Sequence, residues 1–303
     1  MNKPLVSIVM NCFNGEKFLK RALKSIINQR YYNWELIFWD NLSTDQSKNI
    51  FLSFDDKRLK YFCSKKFKKL YDARNDALEK CNGKYISFLD VDDCWLEEKL
   101  NKQVELLEKN KDTGLVYSNF LTVNLNRFFF KKKEMNIKTF KSGIITEYLM
   151  KNYFIGLLTV MIRKSSMKDD LLNFDSKYNM LSDFDYILRF SQTNKIDFIG
   201  ETLAIYNQHK DQLQLKNISI QACQFDEWFK KKVVEKKIFG ENKNFSNLEK
   251  RRDFLNFLKN TKNKNILINL KDLFFYKNNI NKVKLFFIVL LPKNLIEKIF
   301  SLT

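Results

Sequence analysis

Three carboxylates, Asp90, Asp92 and Asp93, fall within one four-residue stretch. Negative charges this close repel one another unless a cation joins them, and an oxygen-only donor set suits a hard divalent ion such as Mg2+ or Mn2+. An ion held by one or two carboxylates keeps coordination sites for diphosphate oxygens. As a Lewis acid it would stabilise a departing nucleoside diphosphate. The plainer alternative is a solvated acidic turn that caps a helix beginning near Leu96. Two further polar breaks follow apolar runs in the same way: Asn11-Cys12-Phe13-Asn14 and Asp40-Asn41.

The elements around these breaks decide between the alternatives. Leu5–Met10 is a short apolar run rich in β-branched residues, as expected of a buried parallel strand. Over Glu16–Gln29, the residues Phe18, Leu19, Ala22, Leu23, Ile26 and Ile27 share one helical face. Glu35–Trp39 reads as a strand, and Asp40–Asp45 as a turn able to cap a helix starting near Thr44. The unit repeats with a strand at Arg58–Cys63, a helix at Ala73–Cys81 stopped by Gly83, a strand at Tyr85–Leu89 and a helix at Leu96–Lys109. Gly114–Tyr117, Leu158–Ile162 and Ile196–Ile199 read as later strands, and Phe184–Gln192 as a helix. Strands alternating with helices imply a mainly parallel sheet with right-handed crossovers. In such sheets ligands bind at the carboxyl ends of the strands, which is where Asn11, Phe13, Asp40, Asn41, Asp90, Asp92 and Asp93 fall.

The same residues carry a resemblance. Val6–Gly15 (VSIVMNCFNG) resembles the opening strand V-S-I-V-I-P-T-Y-N of family-2 glycosyltransferases, and Asp40–Asp45 (DNLSTD) resembles their D-D/N-x-S-T-D turn. Ala73-Arg74-Asn75-Asp76-Ala77 with Gly83-Lys84-Tyr85-Ile86 resembles A-R-N-x-G/A…G-E/K-Y-I/V, and Phe88–Asp93 (FLDVDD) resembles F-L-D-x-D-D. Four motifs in family order make a specific match. Ser182–Arg189 (SDFDYILR) resembles E-D-x-D-L-x-x-R with Ser182 in place of Glu, and Tyr206–His209 (YNQH) resembles Y-R-x-H with Asn207 in place of Arg. Asn11 and Cys12 replace the usual Pro-Thr.

The resemblance implies a GT-A fold and transfer from a nucleotide-sugar, most often a UDP-sugar, to a hydroxyl acceptor with inversion. It implies that Asn11, Phe13, Asp40 and Asn41 lie against the nucleobase and that Arg74 approaches base or phosphates. Asp90 would help to hold ribose or sugar. Asp92, Asp93 and His209 would hold Mn2+ or Mg2+, and Asp183 would be the catalytic base. General-base assistance is typically worth about 10²–10⁴ in rate.

The formal net charge is +19. Roughly eighteen Lys/Arg against roughly six acids in the last 75 residues supply most of the excess, while the first hundred are close to balanced. Overuse of Lys and Asn throughout the chain is the bland account. Nucleic-acid binding rests on charge alone and is opposed by acidic strand ends, which would repel a phosphate backbone. Arg127–Lys133 interleaves three Phe with Arg and Lys and reads as an edge hairpin or acceptor-side loop rather than a strand-stacking platform. Residues 285–303, basic and ending in an amphipathic segment with Leu295, Ile296, Ile299 and Phe300 on one face, suit either an anionic membrane surface or packing on another protein surface. Five cysteines without a CxxC suggest neither a disulfide framework nor a zinc site. The opening residues lack signal-peptide features, and the longest apolar run, Leu285–Leu291, is short of a membrane span.

The expectation is therefore an α/β GT-A nucleotide-binding sandwich over residues 1–211, with the nucleotide-sugar half at about 1–118 and the acceptor half at about 119–211. A basic helical extension would cover 212–303. The protein would be a cytoplasmic, metal-dependent inverting glycosyltransferase, peripheral on the inner face of the membrane if residues 285–303 bind it, acting on a glycan or lipid-linked glycan acceptor in surface polysaccharide assembly. The departures at Asn11, Ser182 and Asn207 leave a second reading, a catalytically weak nucleotide-sugar binding or assembly protein, which the intact acids oppose.

Overall fold

The apolar run that opens the chain forms β1 (Val6–Cys12), and every residue of it is buried. A strand covered on both faces needs no polar alternation. The computed structural model describes residues 3–125, 132–134, 140–209, 217–235 and 245–262. The amphipathic segment within 285–303 and residues 127–131 of the Phe-rich stretch lie outside the described residues. The chain divides into two compact units, one of residues 1–149 with 153–208 and one of residues 150–152 with 209–303.

The first unit is a nine-stranded mixed sheet among the described residues. After β1 come α1 (Glu16–Ile27), β2 (Trp34–Asp40), α2 (Ser47–Leu52), β3 (Leu59–Cys63), α3 (Leu70–Leu78) and β4 (Tyr85–Phe88). Then follow β5 (Cys94–Trp95), α4 (Lys99–Lys109), β6 (Thr113–Asn124), β7 (Lys132–Glu134), α5 (Thr146–Lys151), β8 (Met161–Arg163), α6 (Ser182–Thr193) and β9 (Lys195–Gln208). The path runs β3-β2-β1-β4-β8-β6-β9-β5, with β7 beside β6. It is parallel from β3 to β4. Beyond β4 the sheet becomes mixed, because β8 runs antiparallel to both β4 and β6 while β6 and β9 are parallel.

Alternate residues of β1 (Val6, Ile8, Met10 and Cys12) join Leu19, Leu23 and Ile26 of α1, Phe38 of β2 and Leu100 and Leu107 of α4 in one apolar core. The opposite face carries a polar knot. Buried Glu35 accepts from Ser7 Oγ (2.5 Å), Lys60 Nζ (2.5 Å) and Asn82 N (2.8 Å). Burial alone would raise the Glu35 pKa, but these bonds hold it below the ordinary carboxylate value. Gly83 is required here for close approach rather than for a helix stop. A Cβ at Gly83 would lie 2.5 Å from Ser7 N.

Three elements differ from the sequence expectation for identifiable reasons. Leu157–Thr159 is a 3-10 turn rather than strand. The carbonyls of Leu158, Thr159 and Val160 accept from the side chains of Trp95, Gln103 and Ser87, so they are not free for a ladder. The helix expected from Leu96 starts at Lys99, because Cys94 and Trp95 pair with Ile205 and Ala204 of β9 and Leu96 N donates to Leu203 O. The short strand expected at Ile196–Ile199 extends over fourteen residues, through Tyr206 and Asn207. No helix among the described residues is long and apolar enough to cross a membrane.

In the second unit, α7 (Ile218–Trp228), a π-helical turn (Phe229–Glu235) and α8 (Ser246–Lys262) follow one another. Phe225 and Trp228 of α7 have ring centroids 5.5 Å apart, and Arg251 lies over the Phe225 ring.

Candidate functional site

The carboxyl ends of β1 and β2 are laced into one rigid rim. Asn14 takes a left-handed backbone (φ 53°), and its Oδ1 accepts from Thr44 N at 2.8 Å. Asn14 N donates to Ser43 Oγ (3.0 Å) and Gly15 N to Ser47 Oγ (2.9 Å). Glu16 N donates to Asp45 Oδ2 and Gln46 N to Glu16 Oε2, both at 2.9 Å. Side chains of the Ser43–Ser47 turn thus satisfy backbone N–H groups at the start of α1 that the helix itself leaves unpaired. That turn also caps its own helix, since Asp45 Oδ1 accepts from Ser47 N. Leu42 sits at φ 65°, a region that favours glycine.

Asp40 is buried, with Oδ1 accepting from Ser43 N (2.8 Å) and Oδ2 from the Tyr61 hydroxyl (2.6 Å). Asn41 is a clamp: Nδ2 donates to Lys68 O (2.8 Å) and Oδ1 accepts from Lys68 N (3.1 Å). Asn11 is buried, and neither its Nδ2 nor its Oδ1 has a hydrogen-bond partner. The same holds for Nε1 of Trp39, the β2 residue in register with Asn11. Buried polar groups left in this state call for a ligand or ordered water. Phe13 is half exposed.

At the end of β4, Asp90 Oδ1 accepts from Arg74 Nη2 at 2.5 Å. Arg74 comes from α3 and is buried beside the Tyr71 ring. Burial, reinforced by the charges of Asp92 and Asp183, raises the Asp90 pKa against the pull of Arg74. Burial opposes charge on Arg74 too, but Asp90, Tyr71 and Asp183 outweigh it and hold Arg74 above its ordinary value. Asp183 opens α6 nearly a hundred residues away in sequence, with Oδ1 accepting from Phe184 N at 2.8 Å. The fold therefore sets Asp183 within electrostatic reach of Asp90 and Arg74.

Asp92 and Asp93 diverge. Asp93 is turned inward, buried, with Oδ1 accepting from Asn207 N at 2.9 Å. Burial and then the Asp92 charge raise its pKa well above the carboxylate norm. Asp92 keeps a partly exposed side chain, and its carbonyl is pinned by Asn207 Nδ2 (2.7 Å) and Arg21 Nη2 (3.2 Å). Among the described residues no three His, Cys, Asp or Glu side chains assemble as a ready metal cage. Neighbouring Asp90 and Asp92 are the carboxylates that stay partly exposed. One or two carboxylates plus substrate phosphates is a normal Mg2+ arrangement, and the donor set fits a divalent ion on those terms. His209 belongs to the second unit, whereas Asn207 belongs to the first.

The later motif divides its labour. Only Asp183 takes part in the acidic cluster. Ser182 is buried and donates to Tyr178 O (3.0 Å), while Asp185, fully buried, accepts from Arg189 Nε (2.8 Å). Sequence reasoning missed Arg21, Tyr71 and Trp39, which carry no pattern of their own and reach the site through packing. The Arg21 position was visible only as a basic residue on α1.

Comparisons with known proteins agree with this architecture. The family model for glycosyl transferase family 2 matches residues 7–171. The chain is 34% identical over 165 residues to the Escherichia coli UDP-Glc:alpha-D-GlcNAc-diphosphoundecaprenol beta-1,3-glucosyltransferase WfgD, a match covering 54% of this chain and 62% of that protein. In fold it is similar to Staphylococcus aureus TarS 1–349 solved with UDP, with a TM-score of 0.56 at 16% identity over 85% of this chain and 71% of that one. It is also similar to the mannosyltransferase PcManGT of Pyrobaculum calidifontis solved with GDP-Man and Mn2+, with a TM-score of 0.58 at 14% identity over 94% of this chain and 79% of that one.

Proposed function

The chain belongs to glycosyl transferase family 2 and has the GT-A fold, and from that premise we propose that it moves a sugar from a nucleotide-sugar, a UDP-sugar in the first instance, to a hydroxyl of a lipid-linked glycan. The single observation that carries this reading is that Asp183 lies within electrostatic reach of the hydrogen-bonded Arg74–Asp90 pair at the carboxyl end of β4. Carboxylates and a guanidinium from three separate motifs share one electrostatic neighbourhood there.

In this reading the rim built by Asn11, Phe13, Asp40 and Asn41 takes the nucleobase. Arg74 orients Asp90 toward ribose or sugar and offers positive charge near the phosphates. Asp90 and Asp92 would hold Mn2+ or Mg2+, with Asp93 bracing the turn from inside. The ion, when bound, supplies Lewis-acid neutralisation of the departing diphosphate. Asp183 accepts the acceptor hydroxyl proton on the far side of the sugar, and one in-line displacement inverts the anomeric carbon. Support for a lipid-linked acceptor comes from the E. coli relative, whose name specifies a diphosphoundecaprenol-linked substrate. Membrane-surface attachment through residues 285–303 and a place on the cytoplasmic face go with the same proposal.

The test is nucleoside-diphosphate release from a panel of UDP- and GDP-sugars with Mn2+, Mg2+ or EDTA, with donor binding read in the same samples. Asp183→Asn should lower transfer about 10²–10⁴-fold while binding persists. Transfer at the wild-type rate by the purified variant would remove Asp183 from the base role.

A further inference from the structure

We propose that Phe67 is a second aromatic contact for the nucleobase, side by side with Phe13. The inference rests on the nucleotide-sugar reading and adds a residue that no motif assigns. Phe67 is 59% exposed and Phe13 50% exposed. Their rings meet edge-to-face with centroids 4.8 Å apart and planes at 66°. They stand at the carboxyl ends of β3 and β1, the side of the sheet on which the acidic cluster lies. Exposed apolar side chains are ordinary when scattered singly, but two large rings paired at these strand ends leave an apolar surface that a flat ligand would cover.

The loop that carries Phe67 is fastened to the rim. Ser64 N donates to Asp40 O (2.8 Å), Ser64 Oγ donates to Lys66 O (2.6 Å), and Asn41 holds both the N–H and the carbonyl of Lys68. Asn41, which the family resemblance sets beside the base, therefore also acts through its grip on the Phe67 loop. At the same strand ends the buried amide of Asn11 and the indole N–H of Trp39 lack partners. An exposed aromatic surface for one ring face, with unpaired polar groups at neighbouring strand ends, is the recognition chemistry of a nucleobase. Lys65, Lys66 and Lys69 are exposed on the same loop and add positive potential on the side where a diphosphate would arrive.

The experiment titrates UDP, GDP and inorganic pyrophosphate, each with Mg2+, into the full chain. The proteins are wild type, Phe67→Ala, Phe67→Leu and Phe67→Tyr, with thermal melts of each. Removing a stacking ring should weaken UDP and GDP binding roughly 5- to 150-fold in the Ala and Leu variants. Tyr should restore it to within about twofold, and pyrophosphate binding should stay unchanged. The Leu variant retains apolar bulk, so it separates loss of the ring from loss of packing. Undiminished UDP and GDP binding by both the Ala and Leu variants would overturn the proposal, as would an equal loss for pyrophosphate. Failure of the wild type to bind any nucleoside diphosphate would instead overturn the nucleotide-sugar reading on which the proposal stands.

Discussion

Lys99 should make this protein more stable as the pH rises. Its side chain, at the start of α4, is completely buried and sits over the Trp95 ring at 4.0 Å from the centroid. Nζ donates to Gln103 Oε1 (2.7 Å) and Ser87 Oγ (3.0 Å), both neutral. Burial lowers its pKa well below the ordinary lysine value of 10.5. A base with a lowered folded pKa binds fewer protons folded than unfolded in the interval between the two values. Stability therefore climbs with pH through that window, by about 1.4 kcal/mol per pH unit. Lys99→Met removes the titration and keeps an unbranched apolar chain of comparable length. It leaves Gln103 Oε1 without its donor, at a pH-independent cost of about 1–3 kcal/mol. Urea unfolding of both proteins from about pH 7 to pH 9.5 measures the difference. The wild type should gain on the variant by about 1.4 kcal/mol for each unit of pH inside the window. A difference that stays flat across the range would mean that Lys99 is charged when folded, and would refute the reasoning from burial.

Two smaller predictions follow from the same coordinates. Leu42, held at φ 65°, carries a left-handed backbone cost of about 1–2 kcal/mol, so Leu42→Gly should net a stabilisation of about 0.5–1 kcal/mol after the extra chain entropy of glycine, whereas Leu42→Ala should not, as thermal melts would record. Glu108 is lowered to about 2 by bonds from Lys111, Lys84 and Tyr85, so its contribution is complete above its ordinary value of 4.5 and is lost as pH falls toward 2; Glu108→Gln should lower stability at neutral pH and flatten the acid limb, with the two proteins converging as pH falls toward 2 in urea unfolding.

The strand-helix alternation was legible because buried parallel strands and amphipathic helices impose different periods on the chain. β1, β2, β3, β4, α1 and α6 lie where those periods change. What periodicity missed are elements whose backbone partners are side chains or distant strands. Residues 157–160 look like strand but give their carbonyls to Trp95, Gln103 and Ser87. β5 is two residues long and exists because β9 passes beside it. The length of β9 comes from its partner β6, since its own sequence is interrupted by Gly200.

The residue types at the site, carboxylates after β4 and polar side chains after β1 and β2, were set by local sequence, since a strand that ends at a pocket changes abruptly from apolar to polar. Their division of labour was not. Asp92 and Asp93 are adjacent and chemically identical, yet one stays partly exposed and the other is buried on Asn207. Asp183 and Asp185 share a motif, yet one lies by Arg74 and the other is locked to Arg189. Asn41 is a polar residue at a strand end in the sequence, and in the fold its amide holds both backbone groups of Lys68. The sequence by itself determined which side chains are available for chemistry. Only the tertiary structure decided which of them are buried on partners and which stay exposed, because those partners are brought close by strands and helices that are distant in the chain.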